Sequence, residues 1–271
     1  MIAILRDALG PSLERASCVN IGCSTGIMDS FLAPHVGELT GIDIDSTAIA
    51  YAQATHAATN LRFTVGDAMA LDLADTSIDV VICSQVYEHV PDPARMMREI
   101  GRILAPGGVC YFAATNKLCV VEQHYFLPFL SMLPQRFADL YLRMTGKGDH
   151  YYEKHLTYRG LRRLTSRFAI SDYTARIVTE PESFHTGYLV GAGRLRKAIL
   201  QLWLKYFYWS FPGYLWVLRN PADPFTALRR WPTGAERSGR GPSIDRRFAG
   251  DRGARTKSRC PWKSSRIDST G

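Results

Sequence analysis

The chain has 271 residues and is 46% hydrophobic, so it can bury a sizeable core in one large domain or two small ones. Its formal net charge of +8 comes from the last segment, because residues 229–271 hold 12 Lys or Arg and 4 Asp or Glu. The rest of the chain is neutral, which argues against a nucleic-acid-binding domain and confines the basic character to a tail.

Cysteine usage points to a reducing compartment. None of the six cysteines forms a CxxC pair and most lie in apolar runs, which argues against a disulfide framework or a zinc site. The N-terminal stretch "MIAILRDALGPSLERAS" is amphipathic and lacks the long apolar segment and cleavage site of a signal peptide. We therefore expect a cytoplasmic protein.

The first half of the chain alternates short apolar runs with helical patterns. Five strands are predicted, at Cys18–Gly22, Glu38–Asp43, Leu61–Gly66, Asp79–Ser84 and Gly108–Ala114. Three helices are predicted between them, at Thr25–Ala33, Ser46–Ala57 and Pro93–Leu104. Repeated strand–helix–strand units indicate an α/β fold with a doubly wound, mostly parallel sheet covered on both faces.

After Ala114 the pattern changes to segments rich in aromatic residues and histidines. Residues 117–156 form an aromatic insert. The following segments predict a helix in "TYRGLRRLTSRF", a strand at Ala169–Val178, a second aromatic stretch at Leu195–Ser210 and a last strand at Tyr214–Leu218. From residue 221 to 271 glycine, proline, serine and arginine dominate, so we expect a basic disordered tail.

A glycine-containing turn follows the first predicted strand. In "CVNIGCSTG", Gly22 and Gly26 stand where an open α/β sheet binds ligands, and N–H groups free at the following helix start favour an acceptor or anionic group. Asp43 ends the second strand, 21 residues after Gly22, where a carboxylate suits the two hydroxyls of a ribose. A nicotinamide cofactor is an alternative, although its GxGxxG fingerprint fits this turn poorly.

Four segments in order and spacing resemble class I S-adenosylmethionine-dependent methyltransferases with a methyltransferase type 11-like domain. They are "VNIGCSTG", "GIDID", "FTVGDAMALDLADTSIDVVICSQVYEHVPDP" and "REIGRILAPGGVCYFA". The resemblance covers residues 18–115. It implies one domain over residues 1–220 with seven strands, in which "YLWVL" is the last, antiparallel strand beside the fifth. It also implies that the insert, residues 117–156, covers the acceptor as a lid.

The resemblance also implies a set of cofactor-binding residues. In that family the glycine turn binds the methionyl part of S-adenosylmethionine, the acid after strand two binds ribose, and the acid after strand three reaches the adenine amine. We carry these roles over residue by residue and add the first residues after strand four. The predicted cofactor-binding residues are then Asn20, Gly22, Cys23, Ser24, Gly26, Asp43, Ile44, Asp67, Ala68, Ser84 and Gln85. Asn20 replaces the family's acid and Ser24 its central glycine, and we expect both to weaken affinity without abolishing it.

The expected chemistry is in-line displacement, in which the protein supplies alignment, a dry pocket and, for a hydroxyl acceptor, a base. His89 in "SQVYEHVPDP" and His124 in "EQHYFLPF" are the candidate catalytic residues, with a purely structural histidine as the alternative for each. The first segment also resembles the Glu-x-x-Glu-His pattern of metal-assisted quinone-ring O-methyltransferases. Because Gln85 replaces the first glutamate and leaves Glu88 and His89, we expect no metal.

The aromatic insert favours a small, apolar or lipid-like acceptor. Residues 194–211 place apolar side chains on one helical face beside basic residues, and the stretch is short for a membrane-spanning helix. It is either an interfacial helix on an anionic membrane, which would place the protein at the inner face, or a helix packed internally.

Three readings of the whole chain follow. A methyltransferase is favoured, and a nicotinamide-dependent oxidoreductase is the first alternative. A catalytically degenerate methyltransferase-like scaffold is the second alternative, because of the residues at positions 20 and 24. The tail lacks a recognisable RNA-binding pattern, so nucleic acid is not an expected partner.

Overall fold

The computed structural model describes residues 1–190 and 193–220. These residues form one seven-stranded sheet and a separate two-stranded hairpin. The strands are β1 Ser17–Ile21, β2 Glu38–Asp43, β3 Leu61–Val65, β4 Ile78–Ser84, β5 Leu104–Thr115, β6 Val121–Glu122, β7 Leu127–Pro128, β8 Ala169–Asp172 and β9 Gly213–Arg219. The predicted tail, residues 221–271, lies outside the described residues.

The strand order in the main sheet is β3-β2-β1-β4-β5-β9-β8. Neighbours among the first five strands of this order pair in parallel, whereas β9 is antiparallel to both β5 and β8. The predicted seven-stranded, doubly wound sheet is therefore confirmed, with the last strand beside the fifth. The order reverses at β1 and β4, which is where such sheets open a ligand crevice.

Nine helices connect the strands within the described residues. They are α1 Ile2–Leu9, α2 Ile27–Leu32, α3 Ser46–Thr55, α4 Pro93–Ile103, α5 Gln135–Met144, α6 Tyr158–Leu164, α7 Thr174–Thr179, α8 Gly187–Val190 and α9 Arg194–Tyr206. Two of them start at an aspartate whose side chain caps the helix: Asp45 Oδ1 accepts from Thr47 N at 2.8 Å, and Asp92 Oδ1 accepts from Arg95 N at 2.9 Å.

Apolar side chains cover both faces of the sheet. Along β1, Val19 and Ile21 face one core cluster, in which α4 packs with Met96, Met97 and Ile100. Cys18 faces the other cluster, together with residues of α1 and α3. The five cysteines in the described residues are buried and free, as the sequence predicts for core thiols.

The strand predicted over Ala169–Val178 is wrong in its second half. β8 ends at Asp172, and α7 begins two residues later. The side chain of Asp172 stops the strand, because its Oδ1 accepts a hydrogen bond from Thr174 N at 2.8 Å. Ile177 then packs against the core from a helix, so tertiary packing overrides the β-branched composition of this segment.

The insert, residues 117–156, folds into the β6–β7 hairpin and α5 around a small core of its own. Its last residues run beside the loop that follows β4. Lys154 N donates to Glu88 O at 3.0 Å, and Leu156 N donates to the Tyr87 hydroxyl at 3.1 Å. These bonds fix the insert against the carboxyl edge of the sheet.

Candidate active site

Two glycines shape the turn between β1 and α2. Gly22 and Gly26 have φ values of 73° and 75°, in the left-handed region that favours glycine. A Cβ on Gly22 would lie 2.7 Å from Val86 Cγ2, and one on Gly26 would lie 2.5 Å from Phe63 Cζ. The turn therefore needs glycine at both positions, for its backbone angles and for the close approach of neighbouring side chains.

The N–H groups of this turn are paired inside the protein. Gly22 N and Cys23 N donate to Ile42 O at 2.8 and 3.2 Å. Ser24 N donates to Asp43 Oδ2 at 2.7 Å. These three residues therefore fasten the turn to the end of β2. The N–H groups that the sequence analysis assigns to a ligand are those at the start of α2, where no side chain of the described residues caps the helix.

Asp43 is the last residue of β2, as predicted, and its carboxylate reaches the turn after β1. Its Oδ2 accepts from Ser24 N at 2.7 Å and its Oδ1 accepts from Asp45 N at 3.0 Å. A carboxylate has about four acceptor positions, so about two remain for hydroxyl donors. Ile44 beside it is 73% exposed, which leaves an apolar surface at the rim of the crevice.

Ser24 takes a φ of 50°, the left-handed region again. A residue with a Cβ bears a backbone cost of about 1–2 kcal/mol there, which explains physically why glycine suits this position. The short hydrogen bond to Asp43 offsets part of this cost.

Asp67 and Ala68 follow β3 on the same edge of the sheet. Gly66 N donates to Asp43 O at 2.9 Å, which places this turn next to the end of β2. Asp67 Oδ1 accepts from Met69 N at 2.8 Å and so stabilises its own turn. Ala68 packs against the core, with part of its surface exposed.

Two residues of the predicted cofactor set point into the protein. Asn20 Nδ2 donates to Asp29 Oδ2 at 2.9 Å, and both side chains are buried. Burial raises the pKa of Asp29 to about 6, although the hydrogen bond from Asn20 opposes this. The Cys23 side chain is buried next to Gly41, where an added Cβ would come within 2.9 Å of the Cys23 sulfur. These two side chains therefore support the turn instead of facing the crevice.

Ser84 and Gln85 join β4 to its following loop. Ser84 is half-buried, and Gln85 has a φ of 57°. Gln85 N donates to Ala113 O at 2.9 Å, and Gln85 Oε1 accepts from both the N and Oγ1 of Thr115, at 3.1 and 3.0 Å. The amide oxygen of Gln85 is thus engaged with β5, on the side of the loop nearest the insert.

A cluster of histidine and glutamate side chains lies where this loop meets the insert. Glu122 Oε1 lies 2.6 Å from His124 Nδ1 and 3.5 Å from His155 Nε2. The rings of His124 and His89 meet edge to face with centroids 5.0 Å apart. The side chains of Glu122 and His155 are 0% and 1% exposed, whereas His124 is 29% exposed. The two predicted catalytic histidines therefore come together at one place.

The pKa values in this cluster diverge. Burial alone would raise the pKa of Glu122, but contacts with His124 and His155 lower it to about 2. The same contact with Glu122 raises the pKa of His124. Desolvation of its ring and the positive fields of His124 and His155 lower the pKa of His89 to about 4, so His89 is neutral at pH 7. Burial raises the pKa of Glu88.

Sequence reasoning missed Glu122 and Glu153, and it considered His155 only as a further histidine of the insert that could supply the base. One signal was present: the insert contains two Glu-x-His triplets, "EQH" at 122–124 and "EKH" at 153–155. The first triplet lies on the hairpin and the second beside the loop after β4, which is how the fold unites them.

Comparisons with known proteins agree with this fold. Residues 19–112 match the family profile described as "Methyltransferase domain". The ubiquinone biosynthesis O-methyltransferase of Psychrobacter cryohalolentis is 30% identical over 145 residues, which are 51% of this chain and 52% of that protein. The chain thus spans about half the length of the curated relatives it matches.

Solved structures resemble the chain over a longer stretch. An S-adenosylmethionine-dependent methyltransferase from Mesorhizobium loti superposes with a TM-score of 0.52 and 20% identity, covering 80% of this chain and 95% of that one. A methyltransferase of the same class from Methanosarcina mazei gives a TM-score of 0.52 and 21% identity, covering 81% and 98%. At 20–21% sequence identity, this structural similarity is evidence for the fold alone.

Proposed function

Because residues 19–112 match the profile described as a methyltransferase domain, we propose that the chain binds S-adenosylmethionine and transfers its methyl group to an oxygen of a small, apolar or lipid-like acceptor. The observation that carries the proposal is the placement of Asp43, Asp67 and the loop after β4 around one glycine turn, along the carboxyl ends of adjacent strands. This is where doubly wound sheets bind nucleoside cofactors.

The residues present suit that cofactor. Asp43 retains about two acceptor positions for the ribose hydroxyls, and exposed Ile44 offers an apolar surface for adenine. Asp67 lies on the neighbouring turn as the acceptor for the adenine amine. The cofactor supplies an activated methyl group, and the chain supplies binding, orientation and exclusion of water.

His89 is the proposed base for the acceptor hydroxyl. Its lowered pKa keeps the imidazole unprotonated at neutral pH, so it can accept a proton. His124 is held at Nδ1 by Glu122 and has a raised pKa, which makes it the weaker candidate for a free base. Its role is to fix and polarise the pocket beside His89.

The choice of oxygen as the methylated atom draws on the relatives. The curated relatives that the chain matches are named ubiquinone biosynthesis O-methyltransferases. The aromatic insert packed over the loop after β4 supports an acceptor with an apolar body. A phenol with an apolar substituent has both an ionisable oxygen and an apolar surface.

Calorimetric titration with S-adenosylmethionine and with NAD tests the cofactor assignment. We expect a one-to-one binding isotherm with the first ligand and none with the second, and Asp43→Ala should abolish the heat. Binding of NAD alone would favour the oxidoreductase, and binding of neither would favour a scaffold. A mass-spectrometric screen of phenols with apolar tails for a product heavier by one methylene then tests the acceptor class.

We also propose that α9 docks on an anionic membrane surface. The side chains of Leu195, Ile199, Leu202 and Tyr206 recur at helical spacing and are each more than half exposed. The other side of α9 packs against α7, and Trp203 meets Phe211 edge to face. An exposed apolar stripe beside Arg196 and Lys205 suits an interfacial position on anionic lipid. Within the described residues, every helix is too short or too polar to cross a membrane.

Co-sedimentation with vesicles tests this surface. The chain should sediment with phosphatidylglycerol vesicles and stay in solution with phosphatidylcholine alone. Ile199→Glu together with Leu202→Glu should abolish sedimentation. Tyr51→Glu is the matched control, because Tyr51 is an exposed aromatic residue on α3 and should leave binding unchanged. Equal sedimentation of all variants would remove α9 as the docking surface.

A further inference from the structure

From the cluster at the base of the insert, we infer that Glu122, His124 and His155 bind a divalent first-row transition-metal ion. One ligand atom from each residue lies within 4.8 Å of the others. All three come from the insert, at the two Glu-x-His triplets, so the site is distinct from the Gln85-x-x-Glu88-His89 segment that the sequence analysis considered.

The distances are close to those around a bound ion. A tetrahedral ion with bonds of about 2.0–2.1 Å holds its ligand atoms about 3.3 Å apart. Glu122 Oε1 and His155 Nε2 lie 3.5 Å apart, which already fits. Glu122 Oε1 and His124 Nδ1 lie 2.6 Å apart, so this pair must open by about 0.7 Å to accept the ion in place of a shared proton.

Unpaired polar atoms around the cluster are the second observation. Glu88 is 1% exposed, and within the described residues neither of its carboxylate oxygens has a hydrogen-bond partner. The same is true of both ring nitrogens of His155 and of Glu153 Oε2. Buried polar atoms are nearly always paired, and an unpaired buried carboxylate is destabilising. A cation at this position compensates for the missing hydrogen bonds, since it binds a ring nitrogen of His155 and neutralises the charge of the nearby carboxylates.

The donor set selects the class of metal. Two imidazoles and one carboxylate suit Zn²⁺ and Fe²⁺, whereas Mg²⁺ and Ca²⁺ prefer oxygen ligands. Three protein ligands leave at least one coordination position open, as in catalytic zinc sites. His124 is the one partly exposed ligand and its ring meets that of His89, so solvent and an acceptor can reach the cluster from this side.

The use of such an ion rests on the proposed function. An acceptor hydroxyl bound at the open position loses its proton more readily, and His89 stands beside His124 to take it. The resulting oxygen anion is the nucleophile that in-line methyl transfer requires. The Gln85 position does not serve this purpose, because its amide oxygen is engaged by Thr115.

Zinc titration of the full chain after dialysis against EDTA tests the site. Calorimetry and elemental analysis should give one tightly bound Zn²⁺ per chain. Since a group that merely supports a metal ligand is worth about 10–100-fold in affinity, Glu122→Gln and His155→Ala should each cost at least about 100-fold. His150→Ala is the matched control: His150 belongs to the same insert, contacts Asp139 at 3.0 Å and should not change zinc affinity.

Each outcome decides the inference. The inference would be overturned if the wild-type chain bound no zinc. It would also be overturned if Glu122→Gln, His155→Ala and His150→Ala all bound zinc with the same affinity. Binding of S-adenosylmethionine by the variants shows that they are folded. If a variant does not fold, the visible spectrum of bound Co²⁺ in the wild-type chain decides, because a site of nitrogen and oxygen ligands with low coordination number gives stronger bands than hydrated Co²⁺. Zinc binding without cofactor binding would contradict the proposed function and leave the metal site standing.

Discussion

Replacing Gly26 by alanine tests how the glycine turn is built. Gly26 has a φ of 75°, and a Cβ at this position would meet Phe63 Cζ at 2.5 Å and the Ala52 Cβ at 3.1 Å. Phe63 is buried, and the same edge of its ring also approaches Gly41, where an added Cβ would lie 2.6 Å from Phe63 Cδ1, so the ring has little room to shift. The substitution therefore combines a strained backbone with a crowded core.

The expected loss of stability is the sum of these two effects. A left-handed backbone costs a residue with a Cβ about 1–2 kcal/mol. Overpacking of a core typically adds about 1–3 kcal/mol. Gly26→Ala should therefore lower the free energy of unfolding by about 2–5 kcal/mol, and Tm by roughly 4–20 °C for a domain of this size.

Urea denaturation monitored by circular dichroism measures the loss, with Gly146→Ala as the control. Gly146 has a φ of 65°, and among the described residues nothing lies within 4 Å of an added Cβ. It should show the backbone cost alone, about 1–2 kcal/mol. If the two variants lose stability equally, the close contact between the turn and Phe63 does not exist, and the proposed geometry of the turn is refuted.

The remaining predictions concern the cofactor, the base and a buried acid. Asp43→Asn should weaken S-adenosylmethionine binding about 10- to 150-fold in calorimetry, since hydrogen bonds to charged groups contribute about 1.5–3 kcal/mol. Asp45→Asn is the control, because it keeps an oxygen to cap α3 and should leave the Kd for S-adenosylmethionine unchanged. His89→Gln should lower kcat about 10²–10⁴-fold without changing the cofactor Kd, and an unchanged kcat would exclude His89 as the base. The pKa of Asp29 is raised to about 6 from its ordinary value of 3.8, so its contribution to stability is fully present below pH 3.8 and is lost as the pH rises through 6. This loss should be on the order of 2 kcal/mol between pH 4 and 7 and should vanish in Asp29→Asn; an identical pH profile for both chains would contradict it.

Most of the sheet could be predicted from the sequence because its signals are local. Apolar runs of four to seven residues alternate with helical patterns, and the turn residues Gly22, Gly26 and Asp92 stand at the boundaries. The position of Asp43 followed from the same logic, since it is the last residue of β2. The strand predicted beyond Asp172 was wrong, because the Asp172 carboxylate accepts a hydrogen bond from Thr174 N and ends the strand there.

The cluster in the insert could not be predicted in the same way. Glu122 and His155 are 33 residues apart and meet only because the hairpin turns back and Lys154 bonds to Glu88. No periodicity encodes such a contact. Likewise the sequence shows that Asn20 replaces an acid, but only the fold shows that its amide is bonded to Asp29 behind the turn.

Hydrogen exchange with and without S-adenosylmethionine tests the central claim most directly, because it reports where the cofactor binds. We predict slower exchange confined to peptides that contain the glycine turn at 22–27, the end of β2 at 43–45, the turn at 66–69 and the loop at 85–89. No change at these four segments, or protection located elsewhere in the chain, would contradict the proposed cofactor crevice.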